Sequence, residues 1–351
     1  MTAEPSRASE ASEPRDRSAP AERRARERGG ESEGRSPSDK IVVLGADGML
    51  GHKMFQRLSA RFPGTRGTLR TSRADPRAAG IPLLQGDAIV DGVDVMHDNA
   101  LRATIDALRP DVVVNCVGVI KQRDAAHDPI PSITINSLLP HRLAAWLRPW
   151  NGRLIHFSTD CVFSGRRGRY RDDDLPDAED LYGRSKFLGE VRHAANAVTL
   201  RTSIIGRELF HHQSLLDWFL RQRGTVRGFT KVIYSGVTTN HLAAVVGDVI
   251  ERHPALHGLY QVASDPIAKH DLLRLVQDAF GKTDVTIVPD DREVSDRSLD
   301  GSRFAAATGY VCPPWPALVA ELAADPTPYG AMSAAPVTDR RSSGEQEWQE
   351  K

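Results

Sequence analysis

Cysteine is scarce in this chain: Cys116, Cys161 and Cys312 are the three thiols in 351 residues. An odd, sparse set excludes a secreted disulfide framework and suits a reducing cytoplasm. Net charge is missing too, because 46 basic side chains balance 46 acidic ones. That leaves no overall basic field to attract nucleic acid. Long hydrophobic runs are absent, so no segment is expected to span a bilayer. Residues 1–38 contain no Val, Ile, Leu or aromatic side chain. Such a segment cannot build a core, and 1–38 is expected to be a disordered tail. It has no signal-peptide run, and its Glu content argues against a transit peptide. A similar tail, apart from Trp348, is expected over 326–351. No metal site is expected. Three consecutive carboxylates cannot converge on one ion unaided, so Asp172-Asp173-Asp174 reads as a solvated loop.

Between the tails a 40% hydrophobic content supports a sizeable core. The apolar run Ile41-Val42-Val43-Leu44 leads into Gly45-Ala46-Asp47-Gly48-Met49-Leu50-Gly51, with Met54 and Leu58 at helical spacing behind it. Three glycines between a strand and a helix allow a tight turn, close approach of backbone N–H groups to a pyrophosphate, and close contact of helix with sheet. The helix N-terminus then faces the phosphates with its partial positive charge. His52, early in that helix, reads as structural or solvent-facing.

Strand-like runs at Ile41–Gly45, Gly67–Arg70, Val112–Val117, Arg153–Ser158 and Val198–Thr202 alternate with helical ones at Ala100–Leu108, Ile135–Leu147 and Tyr182–His193. That alternation predicts an α/β fold, a doubly wound parallel Rossmann sheet over 39–205. Beyond Ser203 the pattern loosens into helices at His211–Leu220, Leu242–Glu251 and Asp271–Phe280 and an extended piece at Phe229–Tyr234. Residues 206–325 are expected to form a smaller substrate lobe, interleaved with the last strands and helices of the sheet.

The second strand ends in Thr68-Leu69-Arg70-Thr71-Ser72-Arg73, with no acid to bind a ribose 2′-hydroxyl. Arginine in that place suits a 2′-phosphate, so NADPH is expected over NADH, held by Arg70 and Arg73. Tyr182 and Lys186 lie four apart and share a helix face. An ammonium beside a tyrosine favours the phenolate, making the pair a proton donor to an oxygen at a carbonyl being reduced. Ser158-Thr159-Asp160 closes the strand that begins at Arg153. A hydroxyl there can polarise the substrate carbonyl. Thr159 is the first choice and Ser158 the alternative.

With these residues in view, the chain resembles the extended short-chain dehydrogenase/reductase family, in its dTDP-4-dehydrorhamnose reductase-like branch. The resemblance runs from about Lys40 to Asp325. It rests on the glycine segment, Ser158-Thr159-Asp160-Cys161-Val162-Phe163-Ser164-Gly165, Leu181-Tyr182-Gly183-Arg184-Ser185-Lys186-Phe187-Leu188-Gly189-Glu190 and Leu200-Arg201-Thr202-Ser203. It implies Thr159, Tyr182 and Lys186 as catalytic triad. Gly45, Asp47, Gly48, Met49, Leu50 and Gly51 would hold the cofactor phosphates. Asp94 and Val95 would lie near the adenine, and Cys116, Val117 and Gly118 by the ribose and nicotinamide. The implied reaction reduces a nucleotide-linked 4-keto-6-deoxy sugar with NADPH, giving dTDP-L-rhamnose for cell-surface polysaccharide. Dimers are common among such proteins.

Three departures fall where the sugar or nucleotide should sit. Cys161 stands where the family usually has Tyr, Asn115-Cys116-Val117-Gly118 replaces Asn-Ala-Ala-Ala, and Tyr234-Ser235-Gly236-Val237-Thr238-Thr239 replaces a Gln-x-Gly-x-Pro-Thr segment. Ser158, Thr159, Asp160, Cys161, Tyr182 and Tyr234 are therefore the expected substrate contacts. Cys161-Val162-Phe163 also resembles the cysteine of GDP-fucose synthase that acts in epimerisation, with His211 or His212 as the complementary acid. Two alternatives follow: an epimerase-reductase on another sugar nucleotide, and a non-catalytic subunit like the regulatory subunit of methionine adenosyltransferase.

Overall fold

A computed structural model of the chain describes residues 40–120 and 128–329. The expected tail 1–38 and residues 330–351 lie outside the described residues. The strands are β1 (Ile41–Leu44), β2 (Arg66–Thr68), β3 (Ile89–Val90), β4 (Val112–Asn115), β5 (Arg153–Thr159), β6 (Ala197–Thr202), β7 (Ile204–Ile205), β8 (Gly224–Tyr234), β9 (Val237–Thr238), β10 (Gly258–Gln261), β11 (Ile267–Ala268) and β12 (Val285–Asp296). Seven of them form one sheet in the order β3-β2-β1-β4-β5-β6-β10. Every pairing in it is parallel. The order reverses at β1, which opens a crevice beyond the carboxyl ends of β1 and β4.

Both faces of this sheet are covered, so its strands are apolar throughout rather than alternating. Ile41 and Val43 pack with Met54 and Leu58 of the helix Met49–Arg61 and with Val246 and Ile250 of the helix Thr239–Arg252. Val42 and Leu44 pack on the other face with Leu101 and Ile105 of Asp98–Leu108 and Leu143 and Leu147 of Leu139–Leu147. The chain is thus a doubly wound α/β fold. A three-stranded sheet, β11-β8-β12, has its own core of Phe219, Val226, Leu272, Trp315 and Leu318. The sequence pattern does not predict β3, β10 or β12. β3 has two residues, and β12 is interrupted by Pro289 and a register shift between Asp290 and Val294.

Other departures have local causes. The expected helix Tyr182–His193 stops at Leu188. A Cβ on Gly189 would fall 1.9 Å from the Asn136 carbonyl oxygen, and Glu190 turns inward to Arg201. The expected helix from Ile135 begins as a π-helical stretch, Ser132–Leu138, in which Leu139 N–H reaches back to Thr134 O. Pro140 has no N–H for the Asn136 carbonyl, so the wider turn relieves a proline inside a helix. The expected helix His211–Leu220 is Leu215–Arg221, capped by Ser214, while His211 and His212 are left-handed at φ 68° and 51°. Asp172 is not solvated as expected but buried. Pairing of Tyr170 N–H with Ser298 O pulls its loop inward. The C-terminal tail is expected from 326, yet Tyr329 is 2% exposed and packs against His52, which is itself fully buried.

Candidate active site

β1 ends at the glycine turn. Gly45 is left-handed at φ +75°, and a Cβ there would sit 2.9 Å from the Val117 side chain. A Cβ on Gly51 would fall 1.8 Å from the Gly45 carbonyl oxygen, so any side chain would force the helix off the turn. Gly48 is the N-cap of the helix Met49–Arg61; no side chain caps this end and no acid occupies its first turn. Backbone N–H groups and the positive end of the helix therefore face a cavity of about 910 Å³, lined by Gly45, Asp47, Gly48, Met49 and Leu50. This cradle, which side chains would fill, fits a dinucleotide pyrophosphate.

Strand order sets out the rest of the cavity. Arg70 follows β2, Asp94 and Val95 follow β3, and Cys116, Val117 and Gly118 follow β4; all line the cavity. Arg73 does not. Its guanidinium is held by the carbonyls of Gly86 and Ile89 and lies 3.5 Å from Asp91. Arg77 lines the cavity beside Arg70 and is tied to Asp75, the cap of the short helix Pro76–Ala79. Burial pushes the Cys116 thiol well up, which makes it an inert part of the wall.

The chemistry follows β5. Successive strand residues point to opposite sides, and the two candidate hydroxyls, both on the cavity wall, have different partners. Ser158 donates to Glu190 at 2.8 Å, whereas Thr159 Oγ1 accepts from Cys161 N–H at 3.1 Å and donates to Asp160 at 3.0 Å. Tyr182 stands in the helix Leu181–Leu188, where Asp180 caps the N–H of Gly183 at 2.7 Å. Gly183 packs on the Cys161 carbonyl, where a Cβ would lie 2.3 Å away. That close approach brings Tyr182 near Thr159, whose hydroxyl favours the ionised phenol.

Burial pushes the Tyr182 hydroxyl up from its ordinary value, and the nearby Cys161 adds to this. The four-residue spacing predicts the opposite, with Lys186 pulling it down. Instead the Lys186 ammonium donates to the Phe157 carbonyl at 2.6 Å, and burial pushes it down to about 8 despite the opposing pull of Glu190. Tyr182 is consequently a protonated phenol, the form a donor needs.

Asp160, Cys161 and Tyr234 line the same cavity. Burial raises both the Asp160 carboxyl and the Tyr234 hydroxyl. Of the two histidines, His211 lines the cavity and His212 lies 3.8 Å from Asp217. Three residues here lie outside the sequence expectations. Lys269 and Arg297, which directly follow β11 and β12, line the cavity, and burial brings Lys269 down to about 8 beside Cys161 and Asp160. Asn136, on the π-helical turn, accepts from Val119 N–H at 2.9 Å and donates to Val119 O and to Ser185, tying the wall after β4 to the tyrosine helix. Asn136 stands four residues before the helix-breaking Pro140, and that spacing is the one available clue to it.

Residues 39–325 match the family described as the RmlD substrate binding domain. The chain belongs to that family. Among relatives of this RmlD-family chain is a protein of Streptomyces antibioticus named probable dTDP-4,6-dihydroxy-2-methyloxan-3-one 4-ketoreductase. It is 30% identical over 234 residues, covering 62% of this chain and 69% of the relative. Methionine adenosyltransferase 2 subunit beta of Danio rerio is 26% identical over 274 residues, 74% of this chain and 80% of its own. In fold, the chain is similar to the dTDP-4-dehydrorhamnose reductase of Bacillus anthracis solved in complex with NADP. Its TM-score is 0.66 at 18% identity, over 81% of this chain and 96% of that one. Among the described residues no helix is long and apolar enough to cross a membrane.

Proposed function

We propose that this chain is an NADPH-dependent oxidoreductase acting on a nucleotide-linked 4-keto-6-deoxy sugar, with dTDP-4-dehydrorhamnose as substrate and dTDP-L-rhamnose as product. One observation carries the reading. A single cavity joins a glycine turn and paired arginines, Arg70 and Arg77, to Thr159, Tyr182 and Lys186, and then to a second cationic pair, Lys269 and Arg297. Two cationic regions flanking a tyrosine acid suit two anionic ligands, a dinucleotide phosphate and a sugar nucleotide. The names of the Streptomyces and Bacillus proteins support the same chemistry.

NADPH, when bound, supplies the hydride. Tyr182 donates its proton to the former carbonyl oxygen, Thr159 orients that oxygen by hydrogen bonding, and Lys186 holds the cofactor ribose. The test is NADPH oxidation by the purified chain with dTDP-4-dehydrorhamnose, and with GDP- and UDP-linked 4-keto-6-deoxy sugars in parallel. Turnover of the dTDP sugar supports the full reading, and turnover of another sugar reassigns the substrate alone. A second reading, a subunit that binds a dinucleotide without turnover, draws on the likeness to methionine adenosyltransferase 2 subunit beta. Cofactor binding with no turnover of any of these sugars would favour it.

The cofactor choice has its own test. Replacing both Arg70 and Arg77 by Ala should raise the KM for NADPH by about ten- to a hundredfold, the worth of one or two charge-assisted bonds to phosphate. The KM for NADH should stay within about twofold, since it has no 2′-phosphate to lose contacts. Arg73→Ala should change neither constant, because the Arg73 guanidinium is engaged at the Ile89 carbonyl and Asp91, away from the cavity.

A further inference from the structure

The helix that starts the cofactor site carries two residues that look out of place. Lys53 is 1% exposed and His52 0%. Both are satisfied from the far end of the chain. Lys53 Nζ lies 2.5 Å from Asp325 and donates to Thr327 at 2.6 Å. Thr327 in turn donates to Asp325 at 2.9 Å through its hydroxyl, and Asn240 donates to the same carboxylate at 3.3 Å. The Tyr329 ring stands edge-on to His52, 5.7 Å between centroids, with the Arg207 guanidinium 4.4 Å from its own centroid.

The two hydrogen bonds of His52 give this contact a direction. Its Nδ1 is 2.9 Å from Gly48 O, and its Nε2 is 2.8 Å from the Tyr329 hydroxyl. A carbonyl can only accept, so Nδ1 carries the proton. Burial brings His52 down to about 4, which keeps the ring neutral, so Nε2 accepts from Tyr329, whose single hydroxyl proton is shared with the Asp325 carboxylate 3.2 Å away. The series Tyr329–His52–Gly48 thus ends on the carbonyl of the residue that caps the helix. Gly48 C=O and Met49 N–H belong to one trans peptide and point opposite ways. The same carbonyl accepts the helical bond from the His52 backbone N–H at 3.0 Å, and the imidazole adds a second hold on it, so that the Met49 N–H points out of the helix end, where Gly48 and Met49 line the cavity.

We propose that residues 325–329 are a clasp on the dinucleotide-binding turn, and that Tyr329 and His52 are positioning residues for the cofactor. The proposal rests on the reading of this cavity as a dinucleotide site. It explains why a buried hydroxyl, imidazole and ammonium are kept on the rear of a helix whose neighbouring inward positions are apolar. Burying polar groups gains little over apolar packing unless their geometry is used.

The test compares NADPH affinity, by cofactor fluorescence, in wild type, Tyr329→Phe and Arg57→Gln, all full-length. Tyr329→Phe keeps the ring and removes only the hydroxyl. Its NADPH Kd should rise about three- to tenfold, the worth of one buried hydrogen bond, with kcat at saturating NADPH and KM for the sugar unchanged. Arg57→Gln breaks the exposed contact of the same helix to Glu321, 2.9 Å away, and should leave Kd at the wild-type value. His52→Asn, which retains a donor on a shorter arm, should raise Kd at least as far as Tyr329→Phe. A Tyr329→Phe protein that melts earlier but binds NADPH like wild type would overturn the clasp and leave the reductase reading intact. An equal loss in Arg57→Gln would overturn it too, as would its absence in His52→Asn. A wild-type protein that binds no dinucleotide would overturn both proposals.

Discussion

Tyr182→Phe is expected to lower kcat/KM for the keto sugar by about a hundred- to ten-thousandfold, the usual contribution of a positioned acid. NADPH binding should persist, because the ring stays in place and the phosphates rest on other residues. The structure sharpens the expectation. Burial holds the phenol above its ordinary value, against the lowering influence of the nearby Thr159 hydroxyl. The group is therefore protonated across the physiological range and suited to giving a proton during reduction. Lys186 sets the alkaline limit. Its value of about 8 lies below that of a solvated lysine, so its charge is complete at lower pH and is lost as pH rises through 8. The rate of the wild type should fall over that range. A Tyr182→Phe protein with wild-type turnover would remove Tyr182 from the chemistry.

The second large effect concerns stability. Glu190 and Arg201 are both 0% exposed and joined by two hydrogen bonds of 2.9 Å. Ser158 and Arg192 also donate to Glu190. The Arg201 guanidinium lies 4.8 Å from the centroid of the Phe163 ring, which stacks on Tyr170 at 4.0 Å. One carboxylate thus ties the strand end carrying Thr159 to the loop beyond it. Glu190→Ala strands the arginine in the interior and should cost about 3–5 kcal/mol, lowering Tm by on the order of 10 °C. Replacing both partners, as Glu190→Leu with Arg201→Met, should recover most of that loss, because no buried charge is left unpaired. If Glu190→Ala melts with the wild type, the pair is not structural.

The glycine turn, the strand alternation and the Tyr182/Lys186 spacing are readable in the sequence because each is a local rule acting within one or two turns of chain. The same holds for Arg70, which follows directly from a strand end. Arg73 and Arg77 are not separable in this way. Which one reaches the cavity depends on a four-residue helix, Pro76–Ala79, and on carbonyls contributed by the approach to β3. Lys269 and Arg297 follow strands of the three-stranded sheet, far along the chain, and share no spacing with the triad, so no pattern joins them to it. The direction of the Tyr182 shift escapes the sequence for a similar reason. Spacing puts Lys186 on the same helix face, but the Phe157 carbonyl that takes up its ammonium belongs to β5. Asp172, His52 and Lys53 show the general difficulty. Residue type argues for the surface, and only a long-range partner draws such a side chain inside.

The contact between Lys53 and Thr327 spans 274 residues. During synthesis the first helix leaves the ribosome long before its counter-charge exists. A nascent chain holding only the cofactor half must keep that lysine in water, leaving one side of the helix unsealed. The half of the protein made first is the half finished last, and its maturation waits on the arrival of residues 325–329.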